Sequence, residues 1–354
     1  SVGLTLLILA VVTAVFVAYR VATYRQVDDD ARVAGKQDYL AGLQSDPGVK
    51  ASGPNVIFIL YDDMGYGDIG AGAADSAMIK TPNIDALAEG GMKFHNAYSM
   101  GSCTPSRTTL LTGKYPSRNG WVSHWDVPRW GIGYFDWKKK ENTTFARLMK
   151  DQGYATCAAG KWQINDFRVE PHALKKHGFD DWALWTGFET GNPPSGERYQ
   201  DPYINTPEDG SKTYAGKFGP DIYTERLIQF MRKHKDEPMC LYYPIPLLHS
   251  PFVTTPDDPN AKSRTDRFKA MLLYVDKMVG QLVSEVDQLG IRERTIIIFT
   301  SDNGTDKKIT GTRNQQTVVG GKGSQSEAGV IAPFIVNGPG LVPAGVETVL
   351  LFQQ

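Results

Sequence analysis

Several apolar runs in this sequence stop at residues able to do chemistry. NVIFILY (55–61) is followed by Asp62 and Asp63, ATCAAG (155–160) by Lys161, LYYPIPLL (241–248) by His249, and TIIIFTS (295–301) by Asp302 and Asn303. Asp62, Asp63, Asp302 and Asn303 offer oxygen donors without sulfur or imidazole, the set that calcium or magnesium prefers over zinc. Acids at a strand end also cap turns, so either pair alone would be ambiguous, and it is the two pairs together that favour a hard dication. A further candidate lies in GSCTPSRTTLLTG (101–113), where Cys103 precedes Thr104 and Pro105, an N-cap and first-turn pair. Amide N–H groups and the positive dipole end would then face residue 103 and favour an anion there. A thiolate at that point would need a general base, and no such partner is visible in the sequence.

The other cysteines, Cys157 and Cys240, lie inside strand-like runs and read as small buried hydrophobes. Three cysteines make neither a zinc cluster nor a disulfide framework.

These residues need a scaffold that brings strand ends together. Between the strand runs lie helical patterns. TPNIDALAEGG has Thr81 as cap and Pro82 in its first turn, TTFARLMKDQG ends at Gly153, and a long helix runs from about Thr265 to Leu289, closed by Gly290. Near-continuous apolar strands alternating with helices predict an α/β fold with a mostly parallel sheet sandwiched by helices. In such sheets ligands bind beyond the carboxyl ends of the strands, where the residues above cluster.

The chain has 354 residues, 41% of them hydrophobic, enough for one large core. Its net charge of −1 comes from scattered residues, which excludes a nucleic-acid face held by counterion release. Val2 to Tyr19 is uncharged and, as a helix, about 27 Å long, which predicts a transmembrane signal anchor over residues 1–19, with a cleaved signal peptide as the rival. Residues 20–53 read as a polar linker, and 54–354 as the catalytic domain, lacking its C-terminal part. The expected location is the periplasm or cell exterior.

DDMGYGD, TPNIDALAEGGMKFHNAY, CTPSRTTLLTGKYP, GKW, PLLHSPF, SDNG and GGKGSQSEAGVIAPFIVNGPG follow one another from Asn55 to Gly340. In that series the chain resembles the type I sulfatases of the alkaline phosphatase superfamily. The resemblance implies that a separate formylglycine-generating enzyme oxidises Cys103 to formylglycine, whose hydrate is the nucleophile. It also implies that Asp62, Asp63, Asp302 and Asn303 hold one calcium ion together with residue 103. Arg107 matches the arginine that supports the hydrate, Lys161 the lysine of GKW, and His249 and Lys322 the pair that grips the sulfate ester. The implied reaction is hydrolysis of a carbohydrate or aryl sulfate, with His249 helping the alcohol leave and sulfate then eliminated as the aldehyde re-forms.

One position departs from the pattern. Where the family continues GKW with a histidine that takes a proton from the diol, this chain has Gln163, whose amide orients by hydrogen bonds but is no general base. His124 and His172 are the nearest substitutes in sequence. The alternatives are phosphoester or phosphonate monoester hydrolysis on the same fold, or a silent sulfate-binding homologue. Asn142 and Asn303 both match the glycosylation pattern, a loose signal, since the second falls among the metal candidates. Phe179, Trp182 and Trp185 have helix-compatible spacing and read as core at least as well as a sugar-stacking face.

Overall fold

The computed structural model describes residues 2–23, 34, 52–71, 79–122, 142–187, 189, 197–313 and 316–353. Two compact units are present, Ser1–Gln44 and Ser45–Gln354. The first contains helix α1 (Val2–Thr23), which exposes Leu4, Leu7 and Ile8 among other apolar side chains. Among the described residues no helix is long and apolar enough to cross a membrane. Most of the expected linker lies outside the described residues, as does His124.

In the second unit the strands are β1 (Asn55–Tyr61), β2 (Gly91–Tyr98), β3 (Ala155–Lys161), β4 (Asp181–Trp185), β5 (Tyr203–Thr206), β6 (Gly210–Thr213), β7 (Met239–Pro244), β8 (Thr295–Ser301), β9 (Thr310–Arg313), β10 (Gln316–Val319), β11 (Phe334–Asn337) and β12 (Val346–Gln353). Its helices are α2 (Pro82–Glu89), α3 (Cys103–Thr112), α4 (Pro116–Asn119), α5 (Phe145–Asp151), α6 (Ala173–Lys176), α7 (Gly219–His234), α8 (Arg264–Gln288) and α9 (Glu327–Val330).

Among the described residues ten strands form one sheet in the order β12-β2-β11-β8-β1-β7-β3-β4-β5-β6, and β9 and β10 form a separate ribbon. The central run β8-β1-β7-β3-β4 is parallel throughout, so these strands end at one edge. Antiparallel pairings flank it, β11 on one side and β5–β6 on the other.

Side chains alternate between two covered faces, as a strand's period of two requires. Ile57, Ile59 and Tyr61 of β1 join Leu241 and Tyr243 of β7 and Ile297 and Phe299 of β8 in one core, beneath α2, α7 and α8. Leu60, Tyr242 and Ala158 point the other way, towards Leu111 of α3, Ala146 of α5 and Leu174 of α6. Helix α8 contributes Phe268, Met271, Leu272, Val275, Met278, Val279, Leu282 and Val286 to the first core, a helical stripe worth about 1.5–3 kcal/mol per fully buried side chain. It starts at a capping box in which Ser263 Oγ accepts from Asp266 N–H at 3.0 Å and Ser263 N–H donates to Asp266 Oδ2 at 3.2 Å.

Two local expectations change. Trp182 and Trp185 sit on strand β4 rather than a helix, and odd spacing along a strand sends them to opposite cores. Helix α3 begins at Cys103 itself, with Ser102 in the extended N-cap conformation, so Thr104 lies inside the first turn and is not its cap.

Candidate active site

Strands β1 and β8 are paired in parallel with Tyr61 opposite Ser301, so the residues that follow each strand emerge side by side. Asp302 N–H donates to Tyr61 O at 3.0 Å, and Asp63 N–H donates to Asp302 Oδ1 at 3.3 Å. Ser301 Oγ tightens the turn by accepting from Met64 N–H at 3.0 Å and donating to Asn303 O at 2.9 Å. Asp63 has a left-handed φ of 67°, strain of the kind that persists where surrounding bonds hold it. Asp62, Asp63, Asp302 and Asn303 are fully buried, and carboxylate oxygens of the three acids lie within 4.8 Å of one another.

Three cations face these acids. Lys161 Nζ is 2.6 Å from Asp62 Oδ2, and Arg107 Nη2 and Nε are 2.7 and 2.9 Å from Asp302 Oδ2. Lys322 Nζ lies 2.6 and 2.7 Å from the two oxygens of Asp63. Lys161 is placed by the close approach of β3 to β7: a Cβ at Gly160, whose φ is +132°, would lie 2.0 Å from Pro244 O. Burial would push Asp62 up, but Lys161, His249, Arg107 and Lys322 together hold it well below the usual carboxylate range. Burial pushes Asp63 up, with Asp62 and Asp302 adding to it against the pull of Lys322. Burial and Asp62 likewise raise Asp302 against Arg107. Lys322 is pushed up, despite its burial, by Cys103, Asp63 and Asp62.

The donor set fits a hard dication. Asp62 Oδ1 and Asn303 Oδ1 are buried without a hydrogen-bond partner, while Asn303 Nδ2 donates to Asp63 Oδ1 at 2.8 Å. Two orphaned oxygens beside crowded carboxylates are what an oxygen-seeking cation would satisfy.

Cys103 is buried at the start of α3, and its Sγ, one oxygen of Asp62 and one ring nitrogen of His249 lie within 4.8 Å of one another. Burial, together with Lys161, Arg198 and Lys322, holds His249 well below the usual imidazole range in spite of Asp62. Gln163 follows β3 in a left-handed conformation, φ 56°, packed against Gly187, with its Oε1 buried and unpartnered. Thus Asp62, Asp63, Cys103, Arg107, Lys161, His249, Asp302, Asn303 and Lys322 are tied together by these contacts, and Gln163 lies two residues beyond Lys161. His172 is exposed at the N-cap of α6, outside that cluster. Asn142 is buried, its Nδ2 donating to Asn119 O at 3.1 Å, a poor glycosylation acceptor.

Arg198 was not foreseen. It sits in the polar stretch GERYQD, follows no apolar run, and is brought against His249 only by tertiary structure.

The sequence pattern of the Sulfatase family matches residues 54–350. N-acetylgalactosamine-6-sulfatase of Canis lupus familiaris is 31% identical over 314 residues, covering 82% of this chain and 58% of that protein. N-acetylgalactosamine-6-O-sulfatase of Bacteroides thetaiotaomicron is 28% identical, covering 88% and 72%. The crystal structure of Ps i-CgsB superposes with a TM-score of 0.72 at 27% identity, over 85% of this chain and 69% of that one, and the same protein has been solved with k-i-k-neocarrahexaose. The chain thus spans just over half the length of the canine relative.

Proposed function

This chain belongs to the sulfatase family, and from that premise we propose that it hydrolyses sulfate esters of carbohydrates to alcohol and inorganic sulfate. The observation that carries this is the meeting of Cys103 at a helix start with an oxygen-only, buried acid cluster ringed by Lys161, Arg107, His249 and Lys322. A sulfate ester surrounds its sulfur with charged oxygens, so attack needs cations around them and a nucleophile fixed in line.

Asp62, Asp63, Asp302 and Asn303, with residue 103, would hold one hard dication, which we take to be calcium from the family resemblance, with magnesium the alternative. When present, the dication supplies positive charge opposite the sulfate, and formylglycine made from Cys103 supplies a hydrated aldehyde as nucleophile. The chain's own groups do the rest. Lys161 and Lys322 neutralise sulfate oxygens, and Arg107 fixes Asp302 and hence the floor of the site. His249, otherwise held neutral, gains affinity for a proton as an anionic substrate arrives, and is placed to give it to the departing alcohol oxygen. Gln163 orients the residue-103 group by hydrogen bonding and takes no proton.

A carbohydrate substrate is favoured by the names of the relatives above. Polymeric sulfated glycans do not readily enter a cytoplasm, so we place the working enzyme in the periplasm or outside the cell. The test pairs sulfate and phosphate esters of one chromogenic alcohol with mass spectrometry of the tryptic peptide 94–107. Sulfate turnover that tracks the fraction of converted residue 103 is expected. Activity with only unmodified thiol, or dominant phosphate turnover, would overturn the reading.

A further inference from the structure

Resting on that reading of the site, we propose that Arg198 is a positioning residue that fixes the His249 imidazole by its Nδ1 side, so that Nε2 is the nitrogen presented to substrate. Arg198 Nη2 lies 2.9 Å from His249 Nδ1 and also donates to the carbonyl of Ser250, which itself stands 2.6 Å from Nδ1. A bare Nδ1 accepts from the Arg198 guanidinium and a protonated Nδ1 donates to the Ser250 carbonyl, so either tautomer has a partner on this edge, which leaves Nε2 for the side facing Asp62 and residue 103.

The guanidinium is itself clamped. Its Cζ lies 4.9 Å from the Trp185 ring centroid and 5.2 Å from that of Tyr199, and the residue is only 8% exposed. Planar stacking of this kind suits arginine and not lysine. The neighbouring backbone is held by the same group of residues: Tyr199 Oη lies 2.7 Å from Pro246 O and 2.6 Å from His249 O and donates to them. Leu248, immediately before the histidine, has a φ of 75°. A non-glycine residue in the left-handed region needs such external support to persist. Arg198 and Tyr199 thus hold both ring and backbone of His249, from a segment that follows none of the strands supplying the acids.

The experiment compares wild type, R198M, H249A and the double variant, with R198K as the replacement that keeps charge and aliphatic length if R198M does not fold. R198M should lower kcat by roughly 10²-fold with KM nearly unchanged, as misplacing a reacting group does. In the H249A background it should have little further effect, because a residue acting through another shows strongly non-additive losses. Long-range proton–nitrogen NMR of the histidine rings gives a readout independent of turnover: R198M or R198K should move the His249 resonances and leave those of buried His177 in place. Additive losses, or unmoved His249 resonances, would overturn the proposal. Should the converted wild-type protein show no sulfate turnover while the His249 resonances still shift, the assigned activity fails and the positioning role stands.

Discussion

The acidic floor and the cationic rim of the site are built by different means. The floor comes from two strands in register, and Asp62 and Asp302 occupy their places because Tyr61 and Ser301 are hydrogen-bonded neighbours in a parallel pair. The rim is mixed: Lys161 ends strand β3 and Arg107 lies on α3, but its other members come from chain segments that turn back. Gln163 and Leu248 adopt left-handed backbone, and Arg198 and Lys322 reach inward from segments outside the parallel core. A floor set by sheet geometry tolerates little change in charge, whereas a rim set by loops can alter individual contacts while the floor persists. We assign Gln163, two residues beyond Lys161, to such a rim position.

The sharpest way to break this contrast is at the floor. Asp302→Asn keeps the side chain's size but removes the charge paired with Arg107, and disrupting a buried pair typically costs about 3–5 kcal/mol. We expect turnover to fall by at least ~10³-fold, as when preorganised charge is lost, and bound dication, measured by elemental mass spectrometry, to disappear with it. Undiminished turnover and ion content would contradict the assignment of the floor.

At the rim the expected effect is smaller and opposite in sign. Gln163→His introduces a proton acceptor at a backbone conformation that histidine adopts more readily than most residues. It should raise kcat by up to ~10²-fold at unchanged ion content, the lower end of the usual general-base contribution. A steady-state assay showing no gain would mean that the proton already has an acceptor elsewhere.

The least effect on turnover is expected in the scaffold. Burial lowers His177 to about 3, below the ~6.5 of an exposed histidine. The unfolded chain therefore binds the extra proton first, so this contribution is complete above pH ~6.5 and lost as pH falls towards 3, by at most about 5 kcal/mol. Urea midpoints for His177→Gln should be flatter than wild type across that interval, and equal slopes would refute the assignment.

Much of the floor was legible because strands buried on both faces write themselves as continuous apolar runs. NVIFILY and TIIIFTS are β1 and β8 residue for residue, and the acids stand where those runs stop. The helices with clear caps were legible too, to within a residue or two at each end. The short strands β5 and β6 and the antiparallel β11 were not, since four residues carry too little periodicity to distinguish strand from loop. Spacing misled at Trp182 and Trp185, where three residues apart fits a helix face but here joins opposite sides of a sheet. Arg198 was invisible because its significance lies in a contact across 51 positions of sequence.

The pairing of β1 with β8 joins residues some 240 positions apart. During synthesis residue 103 therefore leaves the ribosome well before Asp302 and Lys322 exist to enclose it. At ~5–20 residues per second that interval lasts on the order of 10–40 s, long enough for the modification proposed above to occur at a thiol that the finished fold shuts away.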